Sequence, residues 1–236
     1  MFPKHFDKII FLQKKKDLRV YRAMEGSRTY ILKCFPPESP AACRAAEDEY
    51  ESLCRLSHPS IPAYFGLQMM EGLPEAPGPM LVLCMEHCQG IPLSRIQDRL
   101  DRSQLLGILV LAGELLHFLL NHGILYTDLN PDNLLVNEEE TRLRVVLLDF
   151  TYCYYFLKNP EPEYGLRFSY DLDPSLKGQQ LLIQELSLLT SHLLEENAFG
   201  QEEDRNSRLY ALLETGAHPP DSLSLADYLK ALSELC

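Results

Sequence analysis

Cations are scarce in this sequence. Lys and Arg number 22 against 34 Asp and Glu, a formal charge of −12. That balance excludes a general nucleic-acid binder with its basic stripe and high pI, and it disfavours docking on an anionic membrane by bulk charge. Long apolar runs are missing too. The longest, Leu105–Gly113, falls short of the ~20 residues a membrane span needs, and Glu114 and His117 follow it. MFPKHFDKII places Asp7 and Lys8 where a secretion signal would have an apolar run. No CxxC pair occurs among the seven cysteines, and Cys84 and Cys88 have no second ligand pair nearby. This speaks for reduced thiols in a cytoplasm rather than a zinc site. What remains, 46% hydrophobic and 24% charged over 236 residues, is an ordinary globular mixture for one domain or two small lobes. The expectation is an acidic cytoplasmic protein with no nucleic-acid or membrane partner.

Periodicity predicts strands first and helices later. Thr29–Phe35 alternates, with Ile31, Lys33 and Phe35 on one face, and Leu18–Ala23 precedes it across a turn at Glu25-Gly26-Ser27. Ala41–Leu56 reads as a helix closed by His58-Pro59. A second strand pair is expected at Ala63–Met70 and Met80–Met85, around the loop EGLPEAPGP. The pattern turns helical at Glu86–Pro92, which sets expected lobes at 1–88 and 89–236. Ser103–Asn121 is a long apolar helix with Ser103 as N-cap and Gly123 just past its end. Short strands at Ile124–Tyr126, Asn133–Val136 and Leu143–Leu148 follow, with a turn over Asn137–Thr141, then helices at Gln179–Glu195 and Ser224–Leu235.

The chemistry concentrates in YTDLNPDN, residues 126–133, and VVLLDFT, residues 145–151. Asp128 and Asp149 each end a short apolar run, and the amide of Asn133 lies between them. Oxygen-rich loops of this kind suit Mg²⁺, a hard cation that takes carboxylate and amide oxygens along with substrate phosphates. Asp149 follows four apolar residues, so its charge needs a partner from elsewhere or a metal. On Ala41–Leu56, Glu49 shares its face with Leu53 and Leu56. A carboxylate on a buried face needs a cation, and Lys33 is the natural candidate.

These motifs resemble the protein kinase family. Its H-R-D-x-x-x-x-N catalytic loop is similar to Tyr126–Asn133, and its D-F-G to Asp149-Phe150-Thr151. DEYESLCRLSHPSI resembles the family's C-helix, YILKC its third strand and LVLCMEHCQGIPL its hinge, the likeness running from about Phe6 to Leu194. The resemblance implies an α+β, two-lobed protein kinase-like fold: a small β-rich N-lobe with one C-helix and a trimmed, mainly helical C-lobe. It implies ATP and Mg²⁺ as cofactors. Lys33 would hold phosphates, Glu49 would pair with Lys33, and Asp128 would orient the attacking hydroxyl. Asn133 and Asp149 would hold the metal. Ile31, Met85, Glu86, His87 and Cys88 would line the nucleotide pocket.

The family pattern is broken in places. Gln13, Lys15 and Leu18 stand where the glycine-rich loop carries glycine. Lys14, Lys15 and Lys16 either reach phosphate as point cations or form a solvated hairpin tip. Tyr126 replaces the histidine, as a packing residue, and Thr127 the arginine that reads a phosphorylated activation loop. Asn130 replaces a lysine near the transferred phosphate, and Thr151 the flexible glycine of D-F-G. No A-P-E follows, and Gln184 falls where the next helix would carry aspartate. Tyr152, Tyr154, Tyr155, Tyr164 and Tyr170 read as packing. Minimal bacterial effector-like kinases are similar in lacking such a segment, which implies action in a host or bacterial cytoplasm. Three readings follow from the resemblance: a minimal protein kinase with a protein substrate and an activating or docking partner, a pseudokinase scaffold, or a small-molecule phosphotransferase.

Overall fold

Gly26, at φ +57°, turns the chain between two alternating runs, β2 (Leu18–Glu25) and β3 (Arg28–Phe35). Glu25 pairs with Arg28 across that turn, a register that sets Tyr21 opposite Leu32 and Ala23 opposite Tyr30. β1 (Lys8–Lys15) extends the sheet beyond β2, and β4 (Tyr64–Met70) and β5 (Met80–Glu86) complete it in the antiparallel order β1-β2-β3-β5-β4. β1 escaped the sequence reading. Its lysine-rich end is solvated on an edge strand, where little apolar alternation is needed.

The computed structural model describes residues 2–3, 5–15, 18–76, 78–139, 142–161, 166, 168–173, 175–197 and 208–236. Lys16, Thr141 and Tyr164, each part of an expectation above, lie outside the described residues. The chain forms two compact units, one of residues 1–88 and 150–166, the other of residues 89–149 and 167–236. The expected second lobe, 89–236, is thus interrupted, because Phe150–Leu166 joins the first unit. Asn159 donates to the Asp48 carboxylate at 2.8 Å there, and Lys158 pairs with Glu51.

In the first unit one face of the sheet carries Tyr21, Tyr30, Leu32, Cys34, Val82 and Cys84, sealed by Phe2, Phe6, Phe11 and Phe65. The rings meet edge to face, Phe6 on Tyr30 and Tyr30 on Phe65. α1 (Pro40–Leu53) packs against β3, β4 and β5. It ends before the expected Leu56: Leu56 donates its N–H to Leu53 in a tighter turn, and His58-Pro59 lie beyond the helix. All seven cysteines are free thiols. Burial pushes the Cys84 thiol up to about 12 and the Cys34 thiol further, so neither is a nucleophile.

The second unit is built on α2 (Arg102–Asn121). Asp101, not Ser103, caps it: its carboxylate accepts from Gln104 N–H at 2.8 Å while the Gln104 side chain accepts from Asp101 N–H at 3.0 Å. By length and composition α2 is the one helix among the described residues suited to cross a membrane, which the run Leu105–Gly113 alone understates. Leu105, Leu109, Leu116 and Leu119 are nevertheless buried, in a helix packed on α3 (Gln179–Glu196), α5 (Leu225–Ser233) and β8 (Arg142–Leu147). Gly113 lets α2 approach Leu186 of α3 and Leu229 of α5, because a Cβ there would overlap both side chains. β6 (Ile91–Pro92), β7 (Leu134–Glu139) and β8 form a small antiparallel sheet. Ile124–Tyr126 is not a strand; Leu125 alone makes a bridge. α4 (Arg208–Ala217) was not foreseen, since Leu209 and Leu213 are its only buried leucines.

Candidate active site

Lys33 sits mid-strand on β3, which the sheet buries on both faces, and its side chain is 6% exposed. Glu49, on the inward face of α1, is 0% exposed. Their charges meet, with Lys33 Nζ 3.0 Å from Glu49 Oε1. Two further groups join them. Tyr64 donates its hydroxyl to Glu49 Oε1 at 2.8 Å, and Thr151 donates to Oε2 at 2.6 Å while accepting from Lys33 Nζ at 2.8 Å. Isolated burial of either charge is prohibitive, so paired and hydrogen-bonded burial is what makes the arrangement tolerable. Glu49 therefore does not lie solvated among Glu47, Asp48 and Glu51. Neither Tyr64 nor Thr151 was assigned this contact from sequence.

Ile31 and Met85 are register partners on β3 and β5. Met85 is buried and Ile31 half-buried. Glu86 turns its carboxylate onto Ala63 N–H at 3.0 Å and gives its own N–H to Ala63 O. His87 and Cys88 follow, both half-buried. Lys15 ends β1 opposite Leu18, exposed, and Gln13 and Lys15 are strand residues rather than a glycine-type cradle.

In the second unit the loop after α2 is tied by its own side chains and by Ser169. Asp128 Oδ1 accepts from Ser169 Oγ at 2.6 Å and from Asn130 Nδ2 at 3.1 Å, and Oδ2 accepts from Asn133 Nδ2 at 3.2 Å. Asn130 also takes the N–H groups of Asp132 and Asn133, which shapes the turn. Asn133 spends its amide nitrogen on Asp128, donating to the backbone carbonyl at 2.9 Å and to Oδ2. Asp149 adopts φ +57°, strained for a non-glycine residue. Tyr126, fully buried, donates its hydroxyl to Leu148 O at 2.6 Å, a bond that goes beyond simple packing. Among the described residues no three His, Cys, Asp or Glu side chains cluster as a metal cage. An amide oxygen with one carboxylate is the donor set of a Mg²⁺ ion that completes its shell with water and phosphate, so Asn133 and Asp149 fit that ion.

Against solved structures, the chain superimposes on the Mycobacterium tuberculosis PknI kinase domain with a TM-score of 0.68 at 20% identity, covering 98% of each chain. A C20A_R136N double mutant of that domain matches with a TM-score of 0.69 at 18% identity, over 97% of this chain and 96% of the other. The chain has a protein kinase-like fold. A family model, the ABC1 atypical kinase-like domain, matches residues 79–164. Rat and mouse inhibitor of nuclear factor kappa-B kinase subunit beta are each 27% identical over 143 residues, 58% of this chain. The chain spans only 19% of the length of those relatives. All of these matches are kinases or kinase-like domains, and what the chain shares with the solved ones is the fold.

One anchor of this kinase-like fold was misplaced from sequence. Gln184 does not hold the loop that carries Asp128; its side chain accepts from Asp173 N–H and donates to Ala217 O. Its neighbour Glu185 does, accepting from Leu129 N–H at 3.0 Å with the side chain fully buried. Burial, and to a smaller extent the Asp128 charge, push its carboxyl up to about 8. A charged residue one place along an apolar helix was the only signal, and spacing alone does not tell which of two neighbours faces inward.

Proposed function

We propose that the chain is a minimal ATP- and Mg²⁺-dependent protein kinase that transfers phosphate to a protein hydroxyl, Ser/Thr rather than Tyr. The observation that carries this reading is the buried Lys33–Glu49 pair at 3.0 Å. A buried ion pair adds little net stability, whereas an ammonium oriented by a carboxylate is what a nucleotide phosphate needs. Glu49 orients Lys33, and Ile31, Met85, Glu86, His87 and Cys88 supply the adenine wall. Lys15 adds a cation near the phosphates in place of glycine amides. Asp128, held by Ser169, Asn130 and Asn133, aligns the acceptor hydroxyl and takes its proton. Asn133 and Asp149 would hold Mg²⁺, which when bound would neutralise phosphate charge.

A second reading, a nucleotide-binding pseudokinase scaffold, draws support from the glycine-free β1–β2 hairpin. Incubation with γ-labelled ATP, Mg²⁺, a generic protein acceptor and a panel of small hydroxyl compounds separates the readings. Label in protein supports the proposal. Label confined to small molecules points to a small-molecule phosphotransferase, and none in either points to the scaffold. The cytoplasmic setting, the protein substrate and an activating or docking partner are parts of this same proposal.

A further inference from the structure

Position 151 is where a kinase-like chain ordinarily carries glycine, and its side chain here is 2% exposed and inside the Lys33–Glu49 pair. The hydroxyl closes a triangle: Lys33 Nζ donates to Thr151 Oγ1 at 2.8 Å, Thr151 Oγ1 donates to Glu49 Oε2 at 2.6 Å, and Lys33 Nζ donates to Glu49 Oε1 at 3.0 Å. A hydroxyl has one proton and two lone pairs, so it can serve an acceptor and a donor at once. Both of its bonds are to charged groups, the stronger class. The left-handed conformations fall on Asp149 and Tyr152, φ +57° and +70°, so position 151 itself makes no demand for glycine. Its side chain is free to serve another purpose.

We propose that Thr151 is a positioning residue: its hydroxyl fixes the Lys33 ammonium and the Glu49 carboxylate in one geometry before nucleotide binds. This rests on the kinase reading above. It also supplies what the missing glycine-rich loop takes away. Without glycine amides around the phosphates, their placement falls more heavily on Lys33, and a third contact removes rotamer freedom from that side chain before binding. Anchorage extends along the same segment, where Tyr155 donates to Phe150 O and Asn159 to Asp48 of α1. The triangle thus joins β3, α1 and the segment after Asp149 without any phosphorylated residue.

The test compares the full chain with Thr151→Val, which keeps the shape and loses the hydroxyl, and Thr151→Ser, which keeps the hydroxyl. Binding of Mg-ATP and of adenosine is measured by calorimetry. Loss of a hydrogen bond to charged groups predicts that Thr151→Val weakens Mg-ATP about tenfold and adenosine less than about twofold, with Thr151→Ser close to the parent. Equal Mg-ATP affinity in Thr151→Val, or a Thr151→Ser variant as weak as it, overturns the proposal. A cycle of Thr151→Val and Glu49→Gln in urea unfolding reads the triangle without nucleotide. Non-additivity of about fivefold or more in the unfolding constant supports it, and additivity overturns it. If the parent chain binds no nucleotide, the kinase reading fails while the cycle still decides on the triangle. Should Thr151→Val not fold, Thr151→Ala takes its place in both arms.

Discussion

Tyr126 reaches Leu148 with a 2.6 Å hydrogen bond from phenol to backbone carbonyl. Leu148 in turn donates its N–H to Asn133 O at 2.8 Å. The loop that carries Asp128 and the strand end that carries Asp149 are thereby pinned together, inside one unit, by a residue that replaces the imidazole of the kinase pattern. Tyr126→Phe keeps the buried ring and removes the bond, leaving a carbonyl without its partner. The expected loss is about 1–3 kcal/mol of stability, read from urea unfolding, with turnover falling more than nucleotide affinity.

Asp149 and Asp128 are expected to part company on mutation. Asp149→Ala should abolish metal-dependent nucleotide binding, seen as loss of the Mg²⁺ increment in ATP affinity. Asp128→Ala should bind Mg-ATP as before and lose turnover by a factor of about 10² or more. Full transfer activity in both variants would show that these residues have been given the wrong roles.

Removing one partner of the Lys33–Glu49 pair leaves the other charge buried. Lys33→Met is therefore expected to destabilise the chain by about 3–5 kcal/mol, and the double change with Glu49→Gln to recover a good part of that loss. Nucleotide affinity should be lost in both. Chemical unfolding paired with ATP titration checks the split. A double variant no more stable than the single one would argue against a desolvated pair.

Glu185 predicts how stability varies with pH. Its folded carboxyl is raised to about 8 from an ordinary carboxylate value, so the folded state holds a proton that the unfolded chain has already released. Stability from this group is fully present at acid pH, falls as pH rises through the ordinary carboxylate range, and levels off above about 8. Glu185→Gln retains an oxygen for Leu129 N–H and should flatten that slope, raising stability at neutral pH by several kcal/mol at most. An unchanged slope between pH 5 and 8 would assign it to another group.

Most of the strand and helix positions were legible because burial there follows simple periods. The alternation of β3 and the inward face of α1 placed Lys33 and Glu49 on buried faces, where each charge needs a partner. What stayed hidden depends on tertiary contact. Thr151 reads locally as a stiffened turn, and only the fold brings its hydroxyl to Lys33, 118 residues away in sequence. Ser169, beside Asp128, lies in a segment with no periodicity at all. The α2 cap shifted from Ser103 to Asp101 because both are good capping residues and only Asp101 has Gln at the matching spacing to complete the box.

The nucleotide claim is tested most directly by thermal unfolding of the intact chain with and without Mg-ATP. At a hundred times the dissociation constant, a ligand bound only by the folded state adds about 2.7 kcal/mol. For a chain of this size that is a rise of roughly 5–10 °C in midpoint. Such a rise, reduced by chelating the magnesium and absent in Lys33→Met, is expected; an unmoved midpoint at millimolar Mg-ATP would contradict it.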